Sequence, residues 1–154
     1  VLDGRIYTGS SWSAGSFGGI VIHPEAVDLA VEYSGCYEKY ASTTGLVKRA
    51  LAVDPGLTSG RAVFAAFDRP EVHRVIDEWI DEIVTGLVTL IHIFNPSRIV
   101  LGGGIMVQPY VLEQVQERLI PRLSPGFRKV NIARASLGNQ AGLLGAAHLA
   151  EEML

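Results

Sequence analysis

The strongest hydrophobic pattern in the chain lies between Pro70 and Phe94, where apolar residues recur every three or four positions. This set comprises Val72, Val75, Ile76, Trp79, Ile80, Ile83, Val84, Leu87, Val88 and Ile91. Such spacing places the apolar side chains on one face of a helix. The pattern ends at Asn95-Pro96, because proline disfavours the α conformation in the residue before it. We therefore predict a long amphipathic helix over residues 70–94.

Weaker patterns predict an alternation of helices and strands around this helix. The predicted helices cover residues 37–53, about 59–67, 109–123 and 140–153, and the predicted buried strands cover residues 99–101 and 129–135. Short β-prone stretches at residues 5–8 and 19–22 predict a β-meander at the start of the chain. Strands that are joined through helices form parallel sheets, and ligands bind near the carboxyl ends of such strands.

Three consecutive glycines, Gly102, Gly103 and Gly104, follow the strand at residues 99–101 directly. Glycine has no Cβ and adopts positive φ readily, so this turn can bring bare backbone against a ligand. The glycines lack the G-x-G-x-x-G spacing of a Rossmann dinucleotide site. The turn indicates either a nucleotide or phosphate neighbour, or a strand-to-helix connection that merely requires positive φ.

Composition narrows the possible classes of function. The chain has 154 residues, 48% of them hydrophobic, and a formal net charge of −3. It is long enough to bury a core as one domain over residues 1–154, and it lacks the basic charge of a non-specific nucleic-acid binder. Its single cysteine, Cys36, excludes an internal disulfide and favours a reducing cytoplasm. The most apolar segment, residues 83–94, is too short to span a bilayer.

The remaining polar residues form no familiar catalytic or metal-binding pattern. The four histidines, His23, His73, His92 and His148, lack the H-x-x-x-H or H-x-H spacing of a metal site, and we interpret them as surface or core-edge residues. No G-x-S-x-G elbow of a serine hydrolase occurs.

Several segments, in this order and at these distances, resemble the C-terminal half of a ROK-family sugar kinase. They are YTG at 7–9, AGSFG at 14–18, GCYEKYAS at 35–42, FNPSRIVLGGGI at 94–105 and NQAGLLGAA at 139–147. The resemblance implies an α/β fold of the actin-like, ribonuclease H-like ATPase class, with a cleft that binds a sugar and ATP. It also implies transfer of the γ-phosphoryl group of ATP, with Mg²⁺, to a sugar hydroxyl.

The resemblance assigns residues to two sites. Gly102, Gly103, Gly104 and Ile105 match the family's adenosine turn, and Glu38 matches a glutamate that accepts hydrogen bonds from sugar hydroxyls. An ionised carboxylate suits that role because it offers only acceptors. By position alone, a glutamate near a helix start is more often a partner of the helix dipole or a solvated surface residue.

The chain departs from the family pattern at the sugar and zinc positions. Ser16 and Gly19 stand where the family has a sugar-binding glutamate and a histidine, and we assign them with Glu38 to the predicted substrate site. Leu29 and Val31 replace two cysteines of the family's zinc loop. One remaining thiolate cannot build a tetrahedral zinc site, so we predict no zinc.

The family's first phosphate-binding segment and its catalytic aspartate match nothing in this sequence. We therefore expect a C-terminal piece that does not catalyse by itself, from a protein that forms a homodimer. Two alternatives remain: the sugar-sensing, dimerising domain of a ROK transcriptional repressor, whose DNA-binding segment lies elsewhere, and a piece that serves only for dimerisation.

Overall fold

A computed structural model describes residue 1 and residues 4–152, without the side chains of Asn139 and Glu152. The chain forms two compact units, Val1–Gly86 and Leu87–Leu154. Its helices and strands, numbered along the chain, are α1 (Tyr37–Ala41), α2 (Thr43–Leu51), α3 (Gly60–Ala65), α4 (Pro70–Phe94), β1 (Arg98–Leu101), α5 (Pro109–Arg122), β2 (Asn131–Arg134) and α6 (Ala141–Glu152).

The long helix predicted over residues 70–94 is confirmed as α4. Its apolar face is buried, as the spacing predicts. In the first unit, the buried residues of α4 are Val72, Val75, Ile76, Trp79, Ile80, Ile83 and Val84, and those outside it are Cys36, Leu46, Ala50, Leu57 and Val63. None of the helices within residues 4–152 combines the length and the apolar character that crossing a bilayer demands.

The predicted helix over residues 37–53 is wrong in one respect, because it is interrupted at Ser42. Ser42 has extended backbone and its hydroxyl accepts a hydrogen bond from the N–H of Gly45 at 3.2 Å, which caps α2. The indole N–H of Trp79 donates to the carbonyls of Ala41 and Ser42, both at 3.0 Å. These contacts satisfy backbone groups at the break, so two short helices replace one long one.

The predicted β-meander at the start of the chain is also wrong. Among the described residues, β1 is the first strand, and residues 4–36 form turns and two 3₁₀ helices instead. Gly9 and Gly15 adopt φ of 70° and 89°, and the N–H of Ala14 binds the carbonyl of Thr8 at 3.0 Å. The glycines therefore close the chain on itself locally. From the β-prone stretches, Val21 forms an isolated antiparallel bridge with Cys36.

The second unit contains the predicted parallel strand pair. β1 pairs with β2 in parallel, with Ile99 opposite Ile132 and Leu101 opposite Arg134. The side-chain amide of Gln116 on α5 donates to the carbonyl of Ile132 at 2.8 Å. The buried side chains of this unit are Leu87, Ile91, Met106, Val111, Val115, Leu119, Leu123 and Ile132.

The final helix, α6, begins one residue after the predicted start at Gln140. The predicted end at Met153 lies outside the described part of the chain. α6 is rich in small residues and exposes its large apolar side chains, with Leu143 75% and Leu149 58% accessible.

Candidate functional site

The two predicted sites lie in different units of the chain. The glycine turn lies in the second unit, where it leaves β1 at its carboxyl end. Gly103 has φ 103° and precedes a 3₁₀ helix, Gly104–Val107, whose start it caps. This φ lies in the left-handed region, so the position favours glycine. Gly102, Gly103 and Gly104 are all exposed.

A cleft of about 230 Å³ opens at this end of the strand pair. It is lined by Leu101, Gly102, Gly103, Met106, Val107, Arg134, Ala135, Ser136 and Gly138. The predicted residues Gly104 and Ile105 follow in the 3₁₀ helix and are not part of this lining. A Cβ at Gly103 or Gly104 would meet nothing within 4 Å, and one at Gly102 would meet only the Cβ of Ala135, at 3.8 Å. The turn therefore presents bare backbone to open space.

Sequence reasoning missed Arg134 and Ser136 in this cleft. Arg134 is the last residue of β2 and lies opposite Leu101 in the parallel register. Because parallel strands end at the same edge of a sheet, the residue that ends the second strand belongs beside the glycine turn. The sequence does not carry that register. Arg134 supplies a cation that suits a phosphate group.

In the first unit, Glu38 lies in the first turn of α1 and is exposed. The 3₁₀ helix Phe17–Gly19 packs against α1. A Cβ at Gly18 would lie 3.1 Å from both Cβ and Oε2 of Glu38, and a Cβ at Gly19 would lie 3.7 Å from Cε1 of Tyr33. The structure therefore brings the predicted residues Gly19 and Glu38 into one neighbourhood.

Ser16, the third predicted substrate residue, has its hydroxyl engaged within its own loop. Its Oγ donates to the carbonyl of Ser13 at 2.8 Å, and the residue is exposed. A hydroxyl in this state can still accept a hydrogen bond from a ligand, since it retains its lone pairs.

A groove of about 840 Å³ adjoins Glu38. Its wall combines residues of the loop before α1 with residues of α1 and α2. The polar and charged lining residues are Tyr33, Ser34, Glu38, Lys39, Tyr40, Ser42, Thr44, Lys48 and Arg49. Hydroxyl, carboxylate and cationic groups in one groove match the hydrogen-bonding needs of a polyhydroxylated ligand.

Arg49, which lines this groove, belongs to a charged cluster that sequence reasoning missed. His23 Nε2 lies 2.8 Å from Glu82 Oε2, and Arg49 Nη2 donates to Glu82 Oε1 at 2.5 Å. Hydrogen bonding to Glu82 raises the pKa of His23 above 6.5, against the opposing effect of desolvation, and Glu25 adds to the increase. No sequence signal marks this cluster, because His23 and Glu82 are far apart along the chain.

Burial raises the pKa of the nearby Tyr37. The Tyr37 hydroxyl stays protonated and donates to the carbonyl of Ile83 at 2.9 Å. This bond ties the start of α1, and with it Glu38, to α4.

Of the residues at the positions of the family's zinc loop, Leu29 and Val31 carry no metal-binding group. Leu29 is fully exposed, Val31 is half exposed and Cys36 is buried. Within residues 4–152, no group of three or more His, Cys, Asp or Glu side chains is arranged to hold a metal ion. The absence of zinc from the protein itself stays a prediction.

Curated relatives of the chain include sugar kinases. A β-glucoside kinase from Listeria innocua is 38% identical over 92 residues, which are 58% of this chain and 30% of that protein. An N-acetyl-D-glucosamine kinase from Salmonella typhi is 27% identical over 161 aligned positions, covering 97% of this chain and 53% of the relative. The chain thus spans about half the length, or less, of these relatives.

Solved structures agree with these relatives. A ROK hexokinase from Thermus thermophilus matches with a TM-score of 0.84 and 29% identity, over 97% of this chain and 51% of the other. A ROK family glucokinase from Streptomyces griseus, solved in complex with glucose and AMPPNP, matches with a TM-score of 0.80 and 27% identity, over 94% and 54%. The predicted actin-like ATPase fold class is confirmed by these two matches.

A ROK family transcriptional regulator also shares the fold, with a TM-score of 0.77 and 24% identity over 96% of this chain and 41% of the other. The model that describes the ROK family matches residues 1–153. The chain therefore belongs to the ROK family.

Proposed function

We propose that this chain is the nucleotide- and sugar-contacting part of an ATP-dependent sugar kinase, which transfers the γ-phosphoryl group of ATP to a sugar hydroxyl. The observation that carries the proposal is the exposed turn of Gly102 and Gly103 at the carboxyl end of β1, with Arg134 in the same cleft. Backbone without Cβ atoms lets a nucleotide approach closely, and a guanidinium stabilises phosphate charge.

The cleft of about 230 Å³ is smaller than the 300–1,000 Å³ of a typical small-molecule site. We therefore propose that the cleft binds one part of the nucleotide, which lies against the backbone of Gly102 and Gly103. The catalytic aspartate and the rest of the phosphate site belong, in this proposal, to a segment outside the 154 residues. The chain by itself is then a binding piece and not a catalyst.

Glu38 has the second role in the proposed mechanism. Its carboxylate accepts hydrogen bonds from two sugar hydroxyls, and this fixes the orientation of the sugar ring. Phosphoryl transfer depends mainly on positioning and on charge stabilisation, so fixing the ring aligns the attacking hydroxyl. ATP supplies the phosphoryl group, and Mg²⁺ arrives with its phosphates. The described residues offer no acidic cluster for the metal, so no step of this mechanism is assigned to it.

The test is calorimetric titration of the 154-residue chain with AMPPNP and with glucose, each alone and each in the presence of the other. The kinase proposal predicts saturable binding of both ligands. A chain that binds glucose but not AMPPNP would support the repressor alternative, in which the sugar is only sensed. Binding of neither would support the dimerisation alternative and contradict the kinase proposal.

The homodimer and the cytoplasmic location expected from the sequence stay predictions. A sedimentation-velocity measurement of the chain, with and without glucose, tests the dimer directly.

A further inference from the structure

The loop at residues 20–35, which we call the pocket loop, forms one side of the groove beside Glu38. Its contributions to the groove are Ala26, Val31, Tyr33, Ser34 and Gly35. The two ends of the loop are tied together, since the N–H groups of Ile22 and His23 both bind the carbonyl of Gly35 at 3.0 Å. The shape of the groove therefore depends on what holds this loop in place.

Apolar burial contributes little to holding the pocket loop. Leu29 is 100% exposed, Val31 50% and Val27 43%. Most of the internal bonds of the loop are local, such as the N–H of Asp28 to the hydroxyl of Ser34 at 2.8 Å. Such bonds shape the loop but do not attach it to the helices beneath.

The backbone N–H of Tyr37, the first residue of α1, donates to the carbonyl of Ile20 at 2.8 Å, and His23 adds the side-chain attachment to α4. Its Nδ1 lies 2.8 Å from Oε1 of Glu25 in the loop, and its Nε2 lies 2.8 Å from Oε2 of Glu82 on α4. A carboxylate only accepts hydrogen bonds, and a neutral imidazole has only one N–H. Both contacts are hydrogen bonds only when both ring nitrogens carry a proton. The geometry thus selects the imidazolium form.

The charged groups around His23 come from each element packed against it. Glu25 belongs to the loop, Glu82 to α4 and Arg49 to α2, where Arg49 shares the carboxylate of Glu82. From α1, the ring of Tyr40 lies with its centroid 4.1 Å from that of His23. The guanidinium of Arg49 lies 5.8 Å from the same Tyr40 centroid. The two carboxylates and the aromatic face favour a positive charge on His23 more than the one neighbouring cation, Arg49, disfavours it.

We propose that His23, in its doubly protonated form, is a positioning residue that fastens the pocket loop to α4 and so sets the shape of the groove beside Glu38. Arg49 and Tyr40 line that groove and contact the same cluster, so the fastening acts on both of its walls. The identity of the ligand as a sugar rests on the function proposed above, whereas the fastening itself does not.

The contacts with Glu82 and Glu25 raise the pKa of His23 above 6.5. The fastening is complete below that value and is lost as the pH rises through the higher pKa of the folded state. Above it, a neutral ring leaves one lone pair facing a carboxylate oxygen, which weakens either the contact with Glu25 inside the loop or the contact with Glu82 on α4.

Hydrogen exchange of the pocket-loop amides, measured without any ligand at pH 6 and at pH 8.5, tests the fastening. Protection factors in the wild type are compared with those in His23→Gln at each pH, which cancels the intrinsic pH dependence of exchange. We expect the wild type to be protected roughly tenfold more than His23→Gln at pH 6 and about equally at pH 8.5. His73→Gln, at a histidine that faces Asp77 at 3.6 Å outside the cluster, should match the wild type. The same ratio of wild-type to His23→Gln protection at both pH values would overturn the proposal.

Two further measurements separate the fastening from the proposed function. Glu82→Gln should remove the pH dependence of loop protection as His23→Gln does, while Glu25→Gln, at a more exposed partner, should reduce it only in part. Glucose affinity should fall several-fold from pH 6 to pH 8.5 in the wild type and stay constant in His23→Gln. pH-dependent loop protection without glucose binding at pH 6 would contradict the sugar site but support the fastening. Glucose binding with pH-independent protection would do the reverse.

Discussion

Gly18 lies directly against Glu38, so that a methyl group at Gly18 would come 3.1 Å from both Cβ and Oε2 of the glutamate. The contact is tighter than side chains normally make. Oε2 lies at the flexible end of Glu38 and can yield, whereas Cβ is held by the backbone of α1. Glycine at this position therefore leaves the carboxylate its present orientation. This relationship connects the loop of Ser16 and Gly19 to the proposed sugar site.

Gly18→Ala should weaken glucose binding by several-fold, because the carboxylate of Glu38 must move aside, and should also lower the stability of the fold, because the Cβ of Glu38 cannot. Glu38→Gln should weaken it by about tenfold or more, since it removes charge-assisted hydrogen bonds of about 1.5–3 kcal/mol. Calorimetric titration with glucose measures both. Glu32→Gln, an exposed acid of the neighbouring loop, is the matched control and should bind as the wild type does. Equal affinity in Glu38→Gln and Glu32→Gln would remove Glu38 from the site.

Gly86→Ala should destabilise the fold by about 1–3 kcal/mol, because a Cβ at this position would overlap the ring of Tyr37. Tyr37 cannot retreat freely, since its hydroxyl donates to the carbonyl of Ile83 at 2.9 Å. Urea denaturation measures the loss. Gly145→Ala in α6, where nothing lies within 4 Å of the added Cβ, should be neutral or stabilising by up to about 1 kcal/mol. Similar free energies of unfolding for the two variants would contradict the predicted packing.

Trp79→Phe should destabilise the fold by about 2–4 kcal/mol. The substitution leaves a small cavity in the core and removes the donor shared by the carbonyls of Ala41 and Ser42. Trp12→Phe is the control, because Trp12 is 84% exposed. Fluorescence of the one tryptophan that remains in each variant, followed during denaturation, should give a lower midpoint for Trp79→Phe than for Trp12→Phe. Equal midpoints would contradict the prediction.

The ion pairs of Arg69 predict a loss of stability in acid. Arg69 lies 2.6 Å from Asp54 and 2.9 Å from Glu71, and hydrogen bonding lowers the pKa of Asp54 and contributes to the lowered pKa of Glu71. A carboxylate with a lowered pKa stabilises the folded state at pH values above its unfolded pKa, which is 3.8 for Asp54 and 4.5 for Glu71. This stability is lost as the pH falls through the lower pKa of the folded state. Thermal melts from pH 7 to pH 2 of Arg69→Gln should show a shallower acid decline than the wild type. Arg74→Gln, which breaks a longer and more exposed pair at 3.9 Å, should decline as the wild type does.

Most of the second unit could be predicted from the sequence because its signals are local. Periodicity marks the end of α4 and all of α5, an apolar run marks β1, and the glycines mark its end. The site residues Arg134 and Ser136 could not be found in this way, because their nearness to Gly102 depends on the register of two strands. That register is set only when the strands pair.

The first unit was harder to predict because long-range contacts decide its local structure. The chain breaks between α1 and α2 where Trp79, far along the sequence, takes up the carbonyls of Ala41 and Ser42. The sequence predicts His23 only as a surface or core-edge residue, since nothing near it in the sequence reveals Glu82. Its role becomes visible only when the pocket loop folds back onto α4.

The proposed function requires that the nucleotide bind against the backbone of Gly102. Its φ is not in the left-handed region and its neighbour Ala135 lies at ordinary contact distance, so Gly102→Val fills the cleft without straining the backbone. Gly126→Val adds the same group in open space in the same unit, outside the cleft, and is its matched control. We predict that AMPPNP binding, measured by calorimetry, falls at least tenfold in Gly102→Val and is unchanged in Gly126→Val. Equal AMPPNP affinity in the wild type and Gly102→Val would contradict the account.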